Sequence, residues 1–327
     1  MALPQAPALE LMQGILPLAG LGTRMRPLTW SRPKPLLYLA GQTVLDHVLD
    51  RLAAVPIEEW ILIVGYLGEQ IRAHIRSHYT IEAHFVEQRE LKGQAHALYL
   101  AKHLMHGPCL IVFADTLFEA DLSGLDEEDA DIVLFTKEVQ DPRRFGVAIE
   151  EGGQVVRIRE KPETMEHRQA VVGIYYIRQG EALIAAIEHL LAQDMRTKGE
   201  YYLADALQLM IDRGARAIAR RVAVWEDCGT PETLLQTHRY LLDHGFTREL
   251  GVTNSVLIPP VYIADGAQIV DSVIGPYVTV GPGARLKRVV ARDSILDAGC
   301  QVADLLLANS LIGREAKVQV AHQDARK

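Results

Sequence analysis

The sequence predicts an α/β domain with a mainly parallel sheet over residues 1–250, followed over 251–327 by a short parallel β-helix with a polar tail. Short apolar runs alternate with longer segments of helical spacing as far as about residue 250. Beyond that point the helical period gives way to single apolar positions about six residues apart. Chain length agrees, because 327 residues exceed the size at which one hydrophobic core stops growing.

In order along the first region, residues 14–18 are a short apolar run that ends in a glycine loop. Residues 44–55 carry Val44, Leu45, Val48, Leu49 and Leu52 at helical spacing. A buried strand is expected at 60–64, a helix at 69–78, a strand at 81–86, a helix at 94–104, and a strand at 109–113 that runs into Ala114 and Asp115. This strand-helix alternation favours a sheet covered on both faces, with ligands gathered where the strands end.

In the second region Ile263, Ile269, Ile274, Val280, Leu286, Leu296, Val302, Ile312 and Val318 mark the beat, and a sixteen-residue echo links Val280, Leu296 and Ile312. The fragments Asp271-Ser272-Val273-Ile274, Asp293-Ser294-Ile295-Leu296 and Asn309-Ser310-Leu311-Ile312 resemble one another. Repeats of this length build coils that bury their apolar corners only against the coils above and below, and roughly four would fit. An irregular all-β tail is the plainer alternative.

Composition narrows the function classes. Hydrophobic residues at 49% and charged residues at 23% are ordinary for a globular protein. A net charge of −8 argues against nucleic acid and anionic membrane as partners and for small molecules. Cys109, Cys228 and Cys300 are scattered and odd in number, which suggests neither a disulfide framework nor a metal knuckle. No long uninterrupted apolar run and no basic-then-apolar leader is visible, so a soluble, cytoplasmic protein is expected. Among the 12 histidines, His74 and His78 lie four apart but are flanked by Arg72 and Arg76, which reads as a solvated helix face rather than a zinc site. His96 reads as a packing residue near a ligand pocket.

The strongest chemical signal is the stretch Pro17-Leu18-Ala19-Gly20-Leu21-Gly22-Thr23-Arg24-Met25-Arg26-Pro27-Leu28-Thr29, directly after the first strand. Its glycines allow backbone N–H groups close to phosphate oxygens, and Arg24 adds a charge-assisted fork. The loop is neither a GxxxxGK[ST] P-loop nor a GxGxxG dinucleotide turn. Downstream, Arg32-Pro33-Lys34-Pro35 holds a lysine between two prolines, which stiffens its setting.

With these motifs the sequence resembles the sugar-1-phosphate nucleotidylyltransferases, whose GxGTR loop is followed by PKP or a close variant. Further landmarks recur in order: Gln88 with Gly93, Phe113-Ala114-Asp115, Phe145-Gly146-Val147, Arg159-Glu160-Lys161-Pro162, Val171-Val172-Gly173-Ile174-Tyr175, Gly199-Glu200-Tyr201, and Trp225-Glu226-Asp227-Cys228-Gly229-Thr230-Pro231. The resemblance covers nearly the whole chain. It is to long-form glucose-1-phosphate thymidylyltransferases in overall plan, and to UTP-glucose-1-phosphate uridylyltransferases in the phosphate loop. It implies a Rossmann-like catalytic domain and a left-handed β-helix.

The resemblance also implies roles. Leu18, Ala19, Gly20, Gly22, Thr23 and Arg24 would bind the nucleoside triphosphate, with Gln88 and Gly93 at the base and dTTP or UTP favoured. Arg24, Lys34 and Lys161 would be the catalytic cations. Asp115 and Asp227 would hold Mg²⁺. Gly146, Glu160, Val171 and Tyr175 would line the pocket of the sugar 1-phosphate, glucose 1-phosphate being favoured. The products would be an NDP-sugar and pyrophosphate, and the β-helix would serve a homo-oligomer. Plainer readings remain for single residues: Asp115 as a helix cap, Lys161 paired with Glu160 on a solvated hairpin, Asp227 closing a turn. Asp205 is left out, because Gly199-Glu200-Tyr201-Tyr202-Leu203 departs from the family's usual wording. Alternatives for the whole chain are mannose-1-phosphate guanylyltransferase, a bifunctional nucleotidyl- and acyltransferase, and a non-catalytic regulatory homologue. The coils between Val256 and Val320 contain no histidine, which disfavours acyl transfer.

Overall fold

The computed structural model describes residues 12–320, so the polar tail and the first 11 residues lie outside the described residues. The chain forms two compact units, one of residues up to Leu21 with Val48–Trp225, the other of Gly22–His47 with the chain from Glu226 onward.

The first unit is built on a nine-stranded sheet. Strands β1 (Met12–Pro17), β2 (Ile57–Val64), β3 (Glu82–Glu87) and β4 (Cys109–Val112) run parallel, in the order β4-β1-β2-β3. The sheet continues through β5 (Ile132–Glu138), β6 (Gly146–Glu151), β7 (Gln154–Glu160), β8 (Gln169–Ile177) and β9 (Ala217–Arg221). Here β8 is antiparallel to β4, β5 and β6, and β6 is antiparallel to β7. Buried Trp60–Val64 shows why the parallel strands read as unbroken apolar runs: with both faces covered there is no polar side to alternate with.

Helix α1 (Val44–Leu52) starts with Thr43 and Asp46 capping each other, α2 (Gly68–His78) buries Ile71 and Ile75 on one face, and α3 (Gln94–Leu100) buries Ala95, Ala97 and Leu98. The sequence pattern extends α3 to 104, but the helix stops at Leu100. Beyond it Lys102 and Leu104 donate to carbonyls three residues back, and the Leu104 carbonyl is taken by the buried Gln13 side chain of β1 at 2.8 Å. A tertiary hydrogen bond, invisible to periodicity, thus replaces the last helical turn. Helices α4 (Gly180–Ala192) and α5 (Leu203–Asp212) complete the unit, and its core joins Ile15, Ile61 and Ile111 to Leu183 and Leu203. The stacked rings of His74 and His78, 4.3 Å apart, sit on α2, and no group of three or more His, Cys, Asp or Glu is arranged for a metal among the described residues.

In the second unit helix α6 (Pro231–Asp243) opens with a Thr230/Thr233 capping box. The coils then stack by parallel ladders throughout. Val280, Leu296 and Ile312, the sixteen-residue echo, lie directly above one another, with Val280 and Leu296 wholly buried. The repeated Asp/Asn-Ser words are corners. Asp271, Asp293 and Asn309 all adopt positive φ, and the Ser272 and Ser294 hydroxyls accept from Val289 and Ser310 backbone N–H groups on the next coil. The three look-alike fragments occupy two corners rather than one: Val273 pairs with Val290, whereas Ile295 pairs with Thr279 and Leu311. All three cysteines are free and buried, and burial pushes the Cys109 and Cys300 thiols up to about 12.

Candidate active site

In the first unit the carboxyl ends of β1 and β3 lead into predicted nucleotide residues, and that of β4 leads to Asp115. Strand β1 leads into Leu18 and Ala19, both buried, and then exposed Gly20, where an added Cβ would meet nothing. The Leu18 N–H is already bound to the Ile63 carbonyl at 2.7 Å, so Leu18 shapes the loop and does not itself donate to a phosphate. Strand β3 ends on Gln88, whose amide nitrogen makes only long contacts, 3.4 Å to the Gly93 carbonyl and 3.5 Å to His96 Nδ1. A buried amide held so loosely can exchange these contacts for a ligand's polar edge. Burial, then Lys92, hold the His96 ring below its usual pKa. Gly93 has φ 110°, and a Cβ there would lie 2.7 Å from the Tyr201 backbone nitrogen. Its close approach is therefore to residue 201 of its own chain. Gly65, which sequence reasoning missed, separates Ala19 from Gln88: a Cβ would sit 2.9 Å from the Ala19 carbonyl and 3.0 Å from that of Gln88.

Asp115 follows β4 half-buried, and its charge joins Glu160's in raising the Tyr175 hydroxyl, after burial as the main cause. The remaining sugar residues lie on the antiparallel strands. Gly146 is the register partner of Glu160, with a virtual Cβ 3.0 Å from Glu160 Oε2. Val171 and Tyr175 flank a register shift in β8 at Gly173. The Glu160 carboxyl is raised chiefly by burial. Lys161 Nζ lies 2.8 Å from Tyr202 Oη and 3.9 Å from Glu160 Oε1, so the lysine leans on Tyr202 first and Glu160 second. Burial lowers the Lys161 ammonium, but the Tyr202 hydroxyl and the carboxylates of Glu160 and Glu200 outweigh it, and the net shift is upward. Asp205, in the first turn of α5, has a raised carboxyl from burial and a buried Oδ2 with no hydrogen-bond partner. The sequence reading did not single out Tyr202, and it weighed Asp205 but set it aside because the segment around it departs from the family's usual wording.

In the second unit Gly22 takes φ 62° against Thr29, whose hydroxyl donates to the Gly22 carbonyl at 2.8 Å. A Cβ on Gly22 would come within 3.2 Å of Lys34 Cβ, so the loop and the Pro33-Lys34-Pro35 turn are in direct contact. Thr23 and Arg24 are exposed on a short 3₁₀ turn. A virtual Cβ on Gly229 would lie 2.8 Å from Asp227 Oδ1 and 3.2 Å from Arg24 Nη2, which places a cation beside the carboxylate. Asp227 Oδ1 accepts the Gly229 N–H at 2.9 Å and leaves Oδ2 for other partners. Among the described residues, the backbone N–H groups of Gly20 to Arg24 have no acceptor within the protein. Successive free donors beside a guanidinium suit an anion.

The nucleotidyl transferase family matches residues 13–244, more than two thirds of the chain, and a GlmU-like C-terminal hexapeptide domain matches 245–305. The chain belongs to the nucleotidyl transferase family. It is 32% identical to the UTP--glucose-1-phosphate uridylyltransferase AglF of Haloferax volcanii, over 68% of this chain and 93% of that protein. It is 28% identical to a glucose-1-phosphate thymidylyltransferase of Streptomyces antibioticus, over 94% of this chain and 93% of the relative. It is 30% identical to the bifunctional protein GlmU of Methanocaldococcus jannaschii over 78% of this chain, but spans only 61% of that longer relative. The fold of a UDP-glucose pyrophosphorylase solved with UDP-glucose superposes with a TM-score of 0.61 at 20% identity, covering 72% of this chain and 99% of the other. As a nucleotidyl transferase the chain has the expected α/β sheet and hexapeptide coils, and no described helix is long and apolar enough to cross a membrane.

Proposed function

We propose that this nucleotidyl transferase joins a nucleoside triphosphate, dTTP or UTP, to glucose 1-phosphate or a close relative. A phosphate oxygen of the sugar attacks the α-phosphorus, the α–β phosphoanhydride bond breaks, and pyrophosphate departs with the electron pair. The single observation that carries the reading is the run of unpaired loop N–H groups ending in Arg24. Two polyanions must meet, so positioning and neutralisation dominate and no covalent protein nucleophile is needed.

Arg24 neutralises the departing pyrophosphate, Lys34 grips the α-phosphate, and Lys161, steadied by Tyr202, holds the sugar phosphate. Gln88 reads the pyrimidine edge, and Glu160 with Gly146, Val171 and Tyr175 receives the sugar hydroxyls. Asp115 and Asp227 would hold Mg²⁺. Carboxylates suit such a hard cation, which takes its other oxygens from phosphate and water. Bound there, the ion would supply charge neutralisation at the α-phosphate.

Acyl transfer by the coils lacks an imidazole base, since residues 245–320 hold no histidine. The coils are better suited to pairing copies of the chain in the cytoplasm. Exposed Val256, Val290 and Leu306 stand in one outward column, Leu306 at 81% exposure. Pyrophosphate release across ATP, CTP, GTP, dTTP and UTP with several sugar 1-phosphates tests the reaction. Turnover with a pyrimidine triphosphate is expected, and consumption of no triphosphate overturns the proposal.

A further inference from the structure

A mainly apolar cavity with charged groups at its wall lies wholly within the second unit, between the segment 27–37 and the last coils of the β-helix. Its volume is about 260 Å³, the space of about nine waters at their liquid volume of ~30 Å³ each. Leu28, Leu37, Ile312 and Val318 give it apolar walls, while Arg32, Arg314 and Asp297 bring charge. None of these seven residues has a role in the reaction proposed above.

The polar groups are unevenly satisfied. Asp297 is only 6% exposed, and its Oδ1 accepts the Ala298 N–H at 2.6 Å. Burial raises its carboxyl, although Arg32 and Arg314 pull the other way. Arg32 has a buried Nε with no hydrogen-bond partner, and burial disfavours its charge more than Asp297 restores it. A buried guanidinium N–H without an acceptor in the chain, at the wall of a cavity, is open to an acceptor from outside the chain. Arg314 is about half exposed and reaches Glu315 only at 3.5 Å, too long to fix it. Two guanidiniums and one carboxylate line the cavity, with Asp46 acting on Arg32 and Glu315 on Arg314 from outside the lining. A fork of planar donors matches the two oxygens of a carboxylate or phosphate, and Asp297 can accept a hydroxyl or N–H from the same molecule.

We propose that this cavity binds a small organic oxyanion, a phosphate ester or carboxylate with a compact apolar body of about ten heavy atoms, through Arg32 and Arg314. The site is regulatory in placement. Arg32 lies two residues before Lys34, and Leu37, in its wall, donates its backbone N–H to the Lys34 carbonyl at 3.1 Å. An occupant that immobilises 27–37 therefore constrains the turn that carries Lys34. This coupling, unlike the binding itself, rests on the reaction proposed above.

The probes are inorganic phosphate, phenyl phosphate and benzoate, titrated by calorimetry into the full chain and into Lys161→Ala, which removes a cation proposed for the catalytic site. Phenyl phosphate or benzoate should bind both proteins equally. Affinity should fall about tenfold in Arg314→Gln and at least as much in Arg32→Gln, the loss of one charge-assisted contact each. Preference for phenyl phosphate over benzoate identifies a phosphate ester as the class, and the reverse a carboxylate. Arg314 is exposed enough that its variant should fold, so it decides the matter alone if Arg32→Gln does not. No binding by any probe, unchanged binding in Arg314→Gln, or binding lost in Lys161→Ala would overturn the proposal. Binding that leaves pyrophosphate release unaltered would remove the coupling and keep the site, whereas absence of turnover in every protein would strike the reaction and leave the binding result standing.

Discussion

Replacing Tyr202 by Phe deletes one oxygen and keeps the ring, so it isolates the hydrogen bond that holds Lys161. In the native protein Lys161 Nζ sits 2.8 Å from that oxygen and 4.9 Å from the ring centroid, and the ring contact survives the change. A hydrogen bond to a charged group contributes about 1.5–3 kcal/mol when buried. The Lys161 side chain is 38% exposed, so screening reduces the expected loss to about 1 kcal/mol. That corresponds to about a fivefold fall in kcat/KM for the sugar 1-phosphate. Pyrophosphate release measured against each substrate in turn should show this fall for the sugar 1-phosphate with the KM for the triphosphate unchanged. Lys161→Ala should lose about a hundredfold by the same assay. An unchanged Tyr202→Phe enzyme, or equal damage to both substrates, would refute the argument that Tyr202 acts by steadying Lys161.

Burial raises the Glu160 carboxyl, so its stabilising protonated form is complete below the ordinary carboxylate range and is lost as pH rises through the folded value. Glu160→Gln should therefore melt higher relative to the native protein at pH 8 than at pH 4, and an equal or reversed gap would contradict the burial argument. Gly93→Ala forces a Cβ onto the Tyr201 backbone at a φ of 110°, and thermal melting should fall by about 5–10 °C for roughly 2–3 kcal/mol of strain. Leu296→Ala opens a hole between the Val280 and Ile312 rungs; urea unfolding should register about 3 kcal/mol, and a loss below about 1 kcal/mol would mean that the coils do not stack there. A chelator should abolish pyrophosphate release and added Mg²⁺ restore it, while Asp115→Asn and Asp227→Asn stay inactive with metal present; near-normal turnover in both would remove the metal assignment.

Period alone made the two architectures legible. The run Trp60–Val64 is apolar without alternation because both faces of its strand are covered, and Val280, Leu296 and Ile312 recur because each coil buries its corner on the one before. The loop from Gly20 to Arg24 was legible too, because glycines and a terminal arginine are local requirements of a turn that leaves its N–H groups free. Asp115 and Gln88 could be placed at strand ends for the same reason, each following directly on an apolar run.

Contacts between residues distant in sequence were not legible, since they leave no period. Tyr202 meets Lys161 across 41 residues, and Gln13 ends α3 by taking a carbonyl 91 residues away. Gly93 makes room for the Tyr201 backbone, a contact that no period records. The look-alike Asp-Ser fragments gave the repeat but not the corner, because a hydroxyl that bridges coils suits either one. What the sequence determined by itself was thus whatever neighbouring residues must satisfy together: turns, strands, coils and the glycine loop. Only the tertiary structure decided which buried polar atoms found a partner and which, like Arg32 Nε and Asp205 Oδ2, did not, because hydrogen-bond satisfaction depends on what the whole fold brings alongside.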